Sequence, residues 1–141
     1  MFMNNIDKYR LYGITIIIDI FLIYSLFKIN IVSFDFIFIV ILLSLHILFY
    51  YSLHTYDKPV IDLLHYFVFI MPFFSLFTNI IYIKITSLLL LIIIQFLWIY
   101  ENRCILNEPS DDFGFGTLIN YYTLILSIIL SLLIGYQYKN L

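Results

Sequence analysis

The chain has 141 residues, of which 64% are hydrophobic and 11% charged, with a net charge of −2. No water-soluble domain of this length could hide so much apolar surface, so the composition excludes a soluble globule. The slight acidity excludes the basic patch a nucleic-acid partner needs, and the single cysteine, Cys104, excludes an intrachain disulfide.

Five apolar runs fill the chain, at 11–29, 34–53, 60–77, 85–100 and 117–138. Each is near the ~20 residues that cross a bilayer core of ~30 Å. Residues 1–10 form a polar head carrying Lys8 and Arg10. The first run exceeds the ~7–15 residues of a secretory leader core and no small-x-small site follows it, so it reads as a retained span. It closes near Lys28 and Asn30, and residues 31–33 then predict a tight antiparallel hairpin. The second run ends at His54-Thr55-Tyr56-Asp57-Lys58-Pro59, where Asp57 suits a helix N-cap and Pro59 a first helical turn. The third run holds Pro72, which predicts a kink. Thr78 and Asn79 mark its exit, and the apolar stretch up to Lys84 is expected to form a short interfacial hairpin. Trp98 and Tyr100 end the fourth run as interfacial aromatics, and residues 101–116 gather the polar and turn-forming residues of the main loop. Tyr136, Tyr138 and Lys139 close the fifth run. The expected fold is all-α: a polytopic transmembrane helix bundle of about five spans, in a single integral membrane domain over residues 1–141.

Alanine is absent and glycine occurs four times. An AT-rich genome explains this skew, together with the 13 Tyr and 15 Phe, and weakens any argument from aromatic motifs. Close helix contacts then fall to Ser25, Ser44, Ser52, Ser75, Ser87, Ser127 and Ser131. With five spans the N-terminal side holds Lys8, Arg10, Lys58 and Arg103, and the other holds Lys28, Lys84 and Lys139. The positive-inside rule leans to a cytoplasmic N-terminus.

Polar residues inside the spans carry the remaining information. Asp19 lies mid-span, where an ionised carboxylate costs ~2.5–3.5 kcal/mol on insertion scales, so it needs a partner or a proton. Counting from the N-terminal side of each run places Asp19 roughly 12 Å deep and His46 roughly 10–11 Å deep. His65 and Gln95 fall at roughly 7–8 Å, and Asp62 lies shallower on the same helical face as His65. These five define a candidate polar cavity open to one leaflet; the other half of the bundle reads as nearly pure Ile, Leu and Phe, apart from Asp35. His46, Tyr50 and His54 form an i,i+4 stripe that drifts by ~40° per step. Imidazole suits Zn, Cu, Fe or Ni, which makes His46, His54 and His65 candidate ligands. No close metal-ligand spacing occurs, so no metal and no cofactor is assigned. A proton relay through Asp19 and His46 fits histidine's ordinary pKa of ~6.5.

In the main loop, Cys104 lies beside Arg103, a setting that favours thiolate, and its juxtamembrane place suits acylation; an inert thiol is the ordinary alternative. The acidic residues up to Asp112 lack EF-hand spacing and read as a solvated loop. The segment Trp98-Ile-Tyr-Glu-Asn-Arg-Cys104-Ile-Leu-Asn-Glu108, followed by Phe113-Gly-Phe-Gly116 and Asn120-Tyr-Tyr122, resembles a group of small polytopic membrane proteins of bacteria and large DNA viruses. Ile105 and Asn107 depart from the Pro and Thr of that pattern. The resemblance implies a structured loop around Cys104, Leu106 and Glu108 and supplies no activity.

Two function classes follow. One is a non-enzymatic membrane component that acts by packing against the bilayer, a second copy or another membrane protein. The other is a small transporter or membrane enzyme that uses Asp19, His46 and His65. A viral envelope or host-membrane modulator matches the composition alone.

Overall fold

The computed structural model describes residues 5–29, 33–101 and 116–140. Its elements are α1 (Asn5–Leu26), α2 (Phe34–Thr55), α3 (Lys58–Phe74), a 3-10 turn (Ser75–Phe77), α4 (Ile81–Glu101) and α5 (Gly116–Lys139). Five helices, counting the 3-10 turn as the end of α3, are long and apolar enough to cross a membrane. The chain is therefore an all-helical, five-span integral membrane bundle. Its surface supports the same reading: Ile47 and Leu132 are each 69% exposed and Phe96 65%. In water such a surface would be an aggregation liability; in lipid it matches the solvent.

Helix boundaries follow local chemistry. α1 starts six residues before the apolar run, inside the expected polar head. Asp7 is buried there and pairs with Arg10 at 3.5 Å, one turn on. The same end is tied to the α2–α3 turn: Lys8 Nζ sits 4.0 Å from the centre of the Tyr56 ring, and Tyr56 Oη donates to Asn5 Oδ1 at 3.4 Å. Ser33 caps α2, its Oγ accepting from the Phe36 N–H at 3.2 Å. Tyr56 closes α2 in the left-handed conformation, φ 58°, with its N–H donating to the Ser52 carbonyl. Asp57 caps α3 and Pro59 occupies its first turn. α-Geometry ends two residues after Pro72, at Phe74, and passes into the 3-10 turn.

The interfacial hairpin expected before Lys84 does not form. Residues 81–84 are instead the first turn of α4, and residues 78–80 make the whole link. Lys84 is the reason: it is 3% exposed, and its Nζ folds back to the Thr78 carbonyl at 2.7 Å, so its charge does not mark the edge of the bundle.

α1 packs on α2 and α4, α2 on α3, and α3 on α4, which closes a four-helix ring. α5 leans on α4 from outside and is the least buried of the five. One polar contact reaches past α4: Tyr122 Oη donates to the carbonyl of Phe69 on α3 at 2.7 Å, three residues before Pro72. Two apolar clusters fill the ring. One gathers Leu11, Phe49, Leu53, Ile61 and Leu64; the other runs through Ile18, Leu22, Ile39, Met71 and Ile83. Of the small residues, Ser25, Ser52, Ser75 and Ser87 are buried at helix contacts, whereas Ser44 and Ser131 are exposed. Several hydroxyls turn back to their own helix one turn earlier, as Thr15 does to Leu11 and Ser52 to Leu48, both at 2.8 Å.

Candidate functional site

α1 and α2 meet through a half-buried polar cluster between them. Asp19 Oδ1 lies 2.5 Å from His46 Nδ1, and Asp19 Oδ2 accepts from Tyr50 Oη at 2.7 Å. Both carboxylate oxygens are thus engaged by α2. The two α2 residues sit one turn apart, which brings their side chains to one face. Tyr12, two turns before Asp19 on α1, stacks on Tyr50 with ring centres 5.7 Å apart. Its hydroxyl donates to the Tyr50 carbonyl at 3.4 Å. The Asp19 and His46 side chains are 16% and 19% exposed. No Lys or Arg lies within ion-pair reach of Asp19 among the described residues, and its contacts are with His46 and Tyr50.

His54 does not join this cluster. It is exposed, because two i,i+4 steps from His46 rotate the side chain by ~80° around α2. Asp62 is half-buried on α3 and lies outside the cluster. Gln95 on α4 keeps its Nε2 buried with no hydrogen-bond partner among the described residues. His65 is half-buried, its ring 5.6 Å from that of Phe69 and 6.5 Å from that of Tyr66. Cys104 and Glu108 lie outside the described residues, as does Arg103. No three His, Cys, Asp or Glu side chains converge as a metal-binding group among the described residues.

A cavity of about 120 Å³ opens inside the four-helix ring. Its walls are Leu, Ile, Phe, Val and Met from α1 to α4, and His46 and His65 face it from α2 and α3. Asp19, Asp62 and Gln95 are not in its lining. The space is therefore apolar with two imidazoles on its wall, rather than the polar vestibule expected from depth alone. Depth along a helix fixes the level of a residue but not its azimuth. At their levels, the azimuth turns Asp19 into the α1–α2 seam and leaves Asp62 and Gln95 outside the cavity wall.

His46 connects seam and cavity. Its Nδ1 faces Asp19, so Nε2, on the opposite edge of the ring, faces away from the carboxylate. No partner for Nε2 occurs among the described residues. Two further polar side chains line the space. Thr15 spends its hydroxyl proton on the Leu11 carbonyl, and Trp98, the only tryptophan, stands on the α4 side. Among the described residues, no serine or cysteine lines the cavity with His46.

A second polar group lies at the opposite end of the bundle. Buried Lys84 feels the charge of Asp35, whose Oδ1 is buried without a hydrogen-bond partner among the described residues. Sequence reading missed this group and three features of the first. Lys84 looked interfacial because it follows a polar break. Trp98 looked like an interfacial anchor because it ends a run. Tyr12 carried one signal, its seven-residue spacing from Asp19, which puts both on one face of α1. Tyr50 stood in the α2 stripe without an assigned partner.

No protein-family model, no curated protein and no solved structure matches the chain.

Proposed function

We propose that the bundle is an intramembrane binding protein or carrier for a small, largely apolar molecule that enters the cavity between α1 and α4. The observation that carries this reading is the cavity of about 120 Å³ with His46 and His65 on a largely apolar wall. An apolar cavity of ~150 Å³ in a soluble protein takes up benzene, so the fitting ligand is about one ring in size. In lipid the hydrophobic effect does not favour entry, because acyl tails are as apolar as Leu. Selection against the surrounding bilayer must then come from a directional polar contact, and the imidazoles supply it. This is the transporter class among the two raised by the sequence. The buried serines support the packing class, but their contacts serve the interior of this bundle.

Trp98 provides the readout, since it lines the cavity and is the only tryptophan. In lipid nanodiscs, three one-ring quenchers are titrated: bromobenzene, 3-bromopyridine and 3-bromophenol. At least one should quench Trp98 saturably, and Ile94→Phe, which fills the cavity wall one turn away, should return the curve to linear. Linear quenching by all three in the unaltered protein, matching the filled variant, would overturn the proposal.

A further inference from the structure

We infer that the polar group of this ligand is a hydrogen-bond acceptor, such as a carbonyl, ether or aromatic nitrogen, received by the Nε2–H of His46. The inference rests on the cavity reading above and adds the ligand's chemistry to it.

It follows from the number of protons the Asp19–His46 pair must hold. Asp19 lies in the middle of α1 in a five-span bundle, and no Lys or Arg reaches it among the described residues. An uncompensated charge at that depth is strongly unfavourable, so the pair is electrically neutral. Because Tyr50 Oη donates to Oδ2, a proton on Oδ2 would have no acceptor among the described residues, and two neutral arrangements then fit Nδ1 facing Oδ1 at 2.5 Å. Either Asp19 is protonated and donates to Nδ1 of a neutral imidazole, or Asp19 is ionised and accepts from an imidazolium. In the first, the imidazole proton must be on Nε2, because Nδ1 is accepting. In the second, both ring nitrogens carry protons. Wherever the shared proton sits, Nε2 bears a hydrogen. Tyr50 is compatible with both, since its hydroxyl donates to Oδ2 in either case.

Nε2 is on the ring edge away from Asp19, the ring lines the cavity, and no protein acceptor takes this hydrogen among the described residues. The site therefore offers a donor held in a fixed direction by the Asp19–Tyr50 seam. Asp19 acts here as a positioning residue: it sets the tautomer and the ring orientation and does not touch the ligand. A hydrocarbon of the same shape gains no such contact. A hydroxyl must accept with its own oxygen while its proton goes unmatched in an apolar wall, which is unfavourable in a medium of low dielectric. The indole N–H of Trp98 and the His65 imidazole are the competing donors, and the experiment separates them from His46.

3-Bromopyridine and bromobenzene are close isosteres that differ in one acceptor nitrogen. With concentrations expressed per lipid, saturable quenching of Trp98 should occur at least about 5-fold lower for 3-bromopyridine, with 3-bromophenol between them or weaker. His46→Phe keeps a ring on the wall and removes the donor, so the two isosteres should become equal. If that variant fails to fold because Asp19 is stranded, Asp19→Leu with His46→Phe removes both members of the pair and tests the same point. Equal saturable binding of both isosteres to the unaltered protein overturns the acceptor rule and leaves the cavity reading standing. A preference for the phenol overturns it in the same way. An acceptor preference that survives removal of His46 assigns the donor elsewhere, to Trp98 or His65, and also overturns it. Linear quenching by every probe is the separate failure of the cavity reading.

Discussion

Replacing His46 tests how α1 and α2 are held together. His46→Leu removes the partner at 2.5 Å from Asp19 Oδ1 and leaves that carboxyl with Tyr50 alone at 2.7 Å. A buried polar group stripped of one hydrogen bond loses about 1–3 kcal/mol, and a broken buried ion pair about 3–5 kcal/mol. For this site, with both side chains under 20% exposed, the expected loss is about 2–4 kcal/mol. Asp19→Leu should lose less, about 1–2 kcal/mol, because neutral His46 and Tyr50 are easier to leave unpaired. The double variant should approach the unaltered protein, since an apolar pair replaces a polar pair whole. With the double variant close to the unaltered protein, the cycle gives a coupling energy of about 3–6 kcal/mol. That range decides the nature of the contact, because ordinary interhelical hydrogen bonds in membranes average only about 0.6 kcal/mol. Reversible unfolding in mixed micelles, followed by helix content, measures all four proteins. Additive effects, with coupling below about 0.5 kcal/mol, would refute the reasoning and reduce the pair to an incidental contact.

Other consequences are simpler. Tyr122→Phe deletes the hydroxyl that reaches the Phe69 carbonyl at 2.7 Å, so it should destabilise by about 1 kcal/mol. The loss should appear chiefly as faster hydrogen exchange in α5, and equal exchange rates in both proteins would contradict it. Lys84, 3% exposed and bonded to the Thr78 carbonyl, should resist amine-reactive labels in bilayers while exposed Lys28 reacts. Peptide mass spectrometry reads both sites, and equal labelling would place Lys84 at the surface. Five crossings put the two ends of the bundle on opposite sides, and the positive-inside count predicts that α1's polar end faces the cytoplasm. Reporter fusions before α1 and after α5 check this, and same-side signals would contradict the span count.

The number and length of the helices were legible because a bilayer imposes one scale, and each apolar run met it. Capping was legible where one side chain decides it, as at Asp57 and Pro59. Boundaries were not legible where a charge is neutralised by folding back. Lys84 looked like an edge and is buried with its bond to Thr78, and the residues around Asp7 and Arg10 read as a polar head before the span and form the first turns of α1. For the polar groups, the rise of 1.5 Å per residue was enough to put Asp19 and His46 at one level on neighbouring spans, and they are in contact. The same count placed Asp62 and Gln95 near the cavity mouth, where the structure keeps them out of its lining. Their azimuth depends on which helices touch, and hydropathy carries no record of that. The apolar character of the cavity was hidden for the same reason: in a chain where every face is Ile, Leu or Phe, periodicity does not distinguish the wall of a cavity from the lipid surface.

Magic-angle-spinning NMR on the bilayer-embedded protein, with labelled His46 and Asp19, tests the account most directly. It should find His46 Nδ1 within about 4 Å of the Asp19 carboxyl carbon, with a proton on Nε2. The absence of dipolar coupling between those two nuclei, or a bare Nε2, would contradict it.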